Sequence, residues 1–188
     1  MAAALIIVDM LNSYEHEDAD PLMDSVREVL PAIRDLIDRT RRDQDALVVY
    51  VNDNSGDWSA GRPEIVEQAM DGRAPELIEP LIPPPGTPFV VKARHSIFYQ
   101  TQLEYLLREE QIDRLILAGQ VTEQCILYSA LDAYVRHFGL VIPRDCVAHI
   151  QEDLAQSALR MMGSNMRAEV VAGRDALDAA NDPVIGRR

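Results

Sequence analysis

Apolar residues recur along the chain in two alternating styles. Six short runs, at residues 5–9, 47–52, 89–92, 115–118, 140–143 and 169–171, are nearly continuous in aliphatic and β-branched side chains. Runs of that length and character predict strands covered on both faces. Between them the spacing changes to that of a helix with one apolar stripe. Residues 25–41 place Val26, Val29, Leu30, Ile33, Leu36 and Ile37 on one side. Residues 101–108 carry Leu103, Leu106 and Leu107, and residues 153–162 carry Leu154, Ala158, Leu159 and Met162. Residues 124–138 carry Ile126, Leu127, Ala130, Leu131, Tyr134 and Val135, with Gly139 as the stop.

Strand and helix alternate, which predicts an α/β fold of three layers, α/β/α, around a parallel sheet. Right-handed crossovers narrow this to a doubly wound, six-stranded parallel sheet. Two segments interrupt the alternation. Residues 52–61 (NDNSGDWSAG) form a polar loop at the carboxyl end of the second strand, where such folds bind ligands. Residues 72–88 hold six prolines and read as a stiff surface excursion. A short helix is expected at 175–180, residues 173–188 read as a peripheral tail, and 182–188 read as frayed.

The 188 residues suit one domain. No run approaches the roughly 20 continuous apolar residues that span a bilayer. The opening MAAALIIVDM lacks a basic leader and reads as a strand, so a cytoplasmic location is the default. A formal net charge of −13, spread along the chain, argues against nucleic acid or an anionic membrane as partner. Two cysteines are too few for a disulfide framework, and the four histidines show no ligand spacing, so no metal site is signalled.

The carboxyl ends of the predicted strands gather the candidate chemistry. The first ends at Asp9 and the third at Lys92, while the fourth runs through Gly119 into a helix with Cys125 in its first turn. A lone cysteine in an amphipathic helix is ordinarily a small buried hydrophobe. At a helix N-terminus, however, a thiol meets partial positive charge and free N–H groups, which favour the thiolate. Thr122 is the expected N-cap. Amides between Val121 and Cys125 could bind an oxyanion, Asp9 could accept the thiol proton, and Lys92 could hold Asp9 ionised. Cys146 and Asp145 read as structural, and His95 and His149 as rim positions.

These residues resemble the isochorismatase-like cysteine hydrolase family. VDMLNSY at 8–14, VVKARHSIFYQTQLEYLL at 90–107 and LILAGQVTEQCILYSALDAYVRHFGLVIPRDCVA from 115 onward stand in that family's order, and the likeness runs from residue 5 to about 171. The resemblance implies catalytic Asp9, Lys92 and Cys125. It also implies a non-proline cis peptide before Val121 and an oxyanion hole from the Val121 and Cys125 amides. It further implies hydrolysis of a C–N bond in a small amide, ureide or carbamoyl compound through a thioester, without cofactor, by a homodimer or homotetramer. Ether hydrolysis of the isochorismatase type, or a non-catalytic binding or assembly role, are the alternatives. Family nicotinamidases bind a metal with histidines after the second strand, and residues 52–61 contain none. Leu11 and Ser13 stand where a glutamine and an aspartate are common. Asn54, Trp58, Tyr14 and Phe98 are candidates for substrate contact. The family's strand order, 3-2-1-4-5-6, puts one strand between those of Lys92 and Asp9. Either the lysine's length bridges that gap or the strand count differs.

Overall fold

A computed structural model describes residues 2–43 and 46–182. The elements in chain order are β1 (Ala2–Val8), α1 (Ala19–Arg42), β2 (Ala46–Asp53), α2 (Arg62–Met70), α3 (Pro75–Ile78), β3 (Phe89–Lys92), α4 (Leu103–Glu109), β4 (Ile112–Gln120), α5 (Leu127–Val135), β5 (Gly139–Pro143), β6 (Val147–Ala148), α6 (Glu152–Asn165), β7 (Glu169–Val171) and α7 (Ala176–Asn181). The sheet order is β3-β2-β1-β4-β5-β7 with every pairing parallel, and two-residue β6 lies beside β4. The predicted six-stranded, doubly wound sheet is present, extended by that one short strand.

Alternation along β1 explains its unbroken apolar character. Ala3, Leu5 and Ile7 join a core with α1, α2, α3 and α7, whereas Ala4, Ile6 and Val8 join a second core with α4, α5 and α6. Both faces are covered, so no position on the strand can be polar without cost.

Several boundaries differ from the sequence reading. Helix α1 begins at Ala19 rather than 25, because buried Ala19, Leu22 and Met23 continue the same stripe. The proline-rich segment is not a surface excursion. Pro75 opens α3, Pro80 sits in a 3-10 turn, and Ala74, Leu77, Ile78 and Leu81 are buried in the core. Proline is tolerated in a first turn because its missing N–H has no helical partner there anyway. Helix α2 was not expected; its start is fixed by Glu64, whose carboxylate accepts the Gly61 N–H at 2.9 Å. The expected helix at 175–180 is present as α7. Of the tail read as frayed, residues 183–188 lie outside the described residues. No described helix is long and apolar enough to cross a membrane.

Candidate active site

The carboxyl ends of β1, β2, β3 and β4 converge on one pocket of about 260 Å³ that contains Asp9, Asp53, Lys92, Val121 and Cys125. Asp9 follows β1 immediately and takes a left-handed φ of 53°, a conformation that aspartate tolerates better than most residues. Its Oδ1 accepts the Asp53 N–H at 2.8 Å and its Oδ2 meets Lys92 Nζ at 2.8 Å. Gln120 Nε2 donates to the Asp9 carbonyl at 2.6 Å. The Asn52 side chain holds Leu11 through both its N–H and its C=O, each at 3.0 Å. The carboxylate is therefore held from β2 and β3, and the Asp9 backbone from β4.

Lys92 settles the question of reach. It pairs in register with Asp53 at the end of β2, and β2 lies between β3 and β1. Its side chain is 1% exposed and spans that strand to place Nζ 2.8 Å from Asp9, 3.4 Å from Asp53 and 3.6 Å from Cys125 Sγ. The lysine's length bridges the gap.

Cys125 lies in a widened, π-helical turn, Thr122–Ile126, between β4 and α5. The Val121 carbonyl accepts from Gln124 N–H at 3.0 Å and from Ile126 N–H at 3.1 Å, the positions on either side of Cys125. The Gln120–Val121 peptide bond is cis. Thr122 is not the N-cap, which falls at Val121; its hydroxyl donates to the Ala148 carbonyl at 2.8 Å and ties the turn to β6. Glu123 Oε1 accepts the Ile150 and Gln151 N–H groups at 2.9 and 2.8 Å, anchoring the other side. Gly119 brings β1 and β4 together just below. It sits at φ +119°, and a Cβ there would lie 2.2 Å from the Val8 carbonyl oxygen.

The electrostatics correct one expectation. The helix N-terminus was expected to favour the thiolate, but burial first and the Asp9 charge second push the thiol's pKa well above the ordinary range, against the opposing pull of Lys92. Burial also raises the Asp9 carboxyl, with Lys92 acting the other way. Burial alone would lower the Lys92 ammonium; Asp9, Cys125 and Asp53 together bring it up to about 12. Burial therefore keeps the proton on the Cys125 sulfur, while its carboxylate neighbours keep Lys92 an ammonium. A buried carboxylate of raised basicity beside a thiol is arranged to receive the thiol's proton.

The other expected contacts separate. Tyr14 is fully buried, and its hydroxyl lies 3.5 Å from Gln120 Oε1, behind Asp9. Phe98 is buried against Phe138, with ring centroids 5.8 Å apart. Both are core residues that do not line the pocket. Asn54 and Trp58 line adjoining cavities instead. His149 bonds to Ser25 on a different cavity, whereas His95 does reach the rim, with Nδ1 3.5 Å from Cys125 Sγ. Cys146 is buried and Asp145 accepts the Gly173 N–H at 2.6 Å, both structural. Sequence reasoning missed Asp53, because β2 was ended one residue early; the strand-end rule applied one position later finds it. Among the described residues, no three His, Cys, Asp or Glu side chains group as a metal site would require.

Fold and site together define a doubly wound α/β enzyme with a thiol, a carboxylate and an ammonium clustered at the carboxyl edge of its sheet. Comparison with known proteins agrees. The isochorismatase domain matches residues 3–175. An uncharacterised isochorismatase family protein of Bacillus subtilis, YaaI, is 31% identical over 175 residues, covering 93% of this chain and 96% of its own. Maleamate amidohydrolase of Pseudomonas putida is 26% identical over 182 residues, covering 93% and 84%. The crystal structure of N-carbamoylsarcosine amidase from Thermoplasma acidophilum superposes with a TM-score of 0.69 at 27% identity, covering 92% and 97%. The chain belongs to the isochorismatase family, and it is a hydrolase of that family.

Proposed function

We propose that the chain hydrolyses the C–N bond of a small amide, ureide or carbamoyl compound, with Cys125 as nucleophile, Asp9 as proton carrier and Lys92 as the charge that keeps Asp9 ionised. The observation that carries this reading is Lys92 Nζ standing 2.8 Å from Asp9 and 3.6 Å from Cys125 inside one buried cluster. The amidase names of two similar proteins support the bond type.

The sulfur attacks the carbonyl carbon as its proton passes to Asp9, since the raised thiol pKa makes a free thiolate a minor species at neutral pH. Charge then develops on the carbonyl oxygen. The Val121 and Cys125 N–H groups are the donors proposed for it, and the two Val121 carbonyl bonds that flank Cys125 support a Cys125 amide lacking its ordinary helical acceptor. Collapse breaks the C–N bond, and Asp9 returns the proton to the departing nitrogen. Water, deprotonated by Asp9, cleaves the thioester and regenerates the thiol. The net change is amide plus water to acid plus ammonia or amine. The reaction as written needs no cofactor. Assembly as a homodimer or homotetramer is supported by exposed Tyr128, Leu131, Tyr134 and Val135 on and beside one face of α5, and light scattering tests it.

A screen of primary amides, ureides and carbamoyl compounds for ammonia release tests the reading. Release by the wild type but not by Cys125→Ser, with an acyl adduct on the Cys125 peptide, is the expected result. Release that survives Cys125→Ser, or ether cleavage with no nitrogen released, would contradict it.

A further inference from the structure

The pocket around Cys125 does not end at its rim. Asp53 and His95 line it and also line a second cavity, which shares Asn54, Trp58, Ala93 and Arg94 with a third. The third, of about 490 Å³, is larger than the pocket that holds the thiol, and Lys92 borders both. A continuous groove therefore leaves the reactive centre between the loop after β2 and the segment after β3. The inner pocket, at about 260 Å³, suits a very small amide, whereas sites for larger organic ligands run from about 300 to 1,000 Å³.

The outer groove has a definite chemistry. Val91, Ala93 and Ala60 give it an apolar floor. Trp58 and Tyr99 stand along it at 84% and 56% exposure, a large apolar area left to water. Arg94 supplies a cation that donates to the Ala93 carbonyl at 3.3 Å, and no carboxylate lies within ion-pair distance of it among the described residues. Asp57, the acid on the groove, is engaged elsewhere: it accepts from the Ser59 N–H and hydroxyl and from Gln68. Asn54 shapes the wall, accepting the Gly56 N–H at 3.0 Å. In a chain of net charge −13, an anion finds few places to settle, and a guanidinium without an ion pair, on a cavity that Trp58 and Tyr99 also line, is one.

We propose that this groove is the subsite for the substrate's non-reacting end, and that this end is a flat apolar or aromatic group bearing a carboxylate. The proposal rests on the amidohydrolase reading of the inner pocket. Trp58 and Tyr99 hold the flat group, Arg94 pairs with the carboxylate, and the amide carbon lies at Cys125.

Three alkylating probes share one reactive group: iodoacetamide, its N-phenyl derivative, and 4-(iodoacetamido)benzoate. Their rates on the Cys125 peptide are compared within each variant, so any change in the thiol itself cancels. The benzoate should outpace the neutral phenyl reagent by about tenfold, the discrimination expected of one charge-assisted contact. Arg94→Gln should bring that ratio to about one, and Trp58→Ala should lower both aromatic reagents relative to iodoacetamide. A wild-type ratio near one, or a ratio unmoved by Arg94→Gln, would overturn the subsite while leaving the thiol chemistry standing. Trp58 is the only tryptophan, so its emission reads the groove without any reaction. In Cys125→Ser, titration with unreactive 4-acetamidobenzoate should give a saturable change that Arg94→Gln weakens about tenfold; no saturable change would overturn the subsite even if the thiol proves inert.

Discussion

The inner pocket and the outer groove are built by opposite rules. In the inner pocket, Asp9, Lys92 and Cys125 are each held by several strands and turns, and the lysine is almost fully buried. In the outer groove, Trp58, Tyr99 and Arg94 sit on connecting segments, where Trp58 and Tyr99 are largely exposed and the Arg94 side chain bonds only to the neighbouring Ala93 carbonyl. On the proposed reading the first arrangement carries the reaction, and the second leaves selectivity to side chains that can change without disturbing the fold. Substitutions should therefore separate into those that cost chemistry or folding and those that cost neither.

The largest effect is expected from Cys125→Ala, which removes the proposed nucleophile and should lower turnover by on the order of 10³-fold or more while the protein stays folded. Steady-state ammonia release together with circular dichroism checks both halves. Lys92→Met comes next. It strands the buried Asp9 carboxylate and should cost about 3–5 kcal/mol at neutral pH, read by urea unfolding. The sign with pH follows from Asp9: burial already raises its pKa, and losing Lys92 raises it further. A protonated Asp9 carries no stranded charge, so the deficit should shrink as pH falls; a deficit that grows would refute the pairing. Gly119→Ala should cost about 1–3 kcal/mol, because the added carbon overlaps the Val8 carbonyl and β1 and β4 must part. Trp58→Ala is the smallest, within about 0.5 kcal/mol in urea unfolding, since little of the indole is packed. A large loss there would erase the contrast between the two regions.

The same contrast explains what could be read from the sequence. Apolar runs marked the sheet because both its faces are buried, and the strand ends then brought Asp9, Lys92 and Cys125 to one edge. That Lys92 spans β2 could not be read, since side-chain reach across a neighbour leaves no periodic trace. Asp53 was missed through a one-residue boundary, the least secure part of any pattern reading. Asn54 and Trp58 lie on the loop after the second strand and Tyr14 and Phe98 within the matching segments, and neither placement says which way a side chain points: Tyr14 and Phe98 turn into the core, whereas Trp58 turns to the groove. The thiol's protonation could not be read either, because helix position argued for the thiolate while burial and Asp9 argue against it.

The most direct test of the thiol–carboxylate–ammonium cluster is the pH dependence of Cys125 alkylation by iodoacetamide, followed on its own peptide in the wild type and in Asp9→Asn. In the wild type the rate should still be climbing above the ordinary thiol range, because burial and the Asp9 charge hold the proton on sulfur. Asp9→Asn removes that charge and leaves Lys92, so the midpoint should move to lower pH while amide turnover disappears for want of a proton acceptor. A midpoint that stays in place or moves upward would contradict the coupling of Asp9 to Cys125, and with it the proposed reaction.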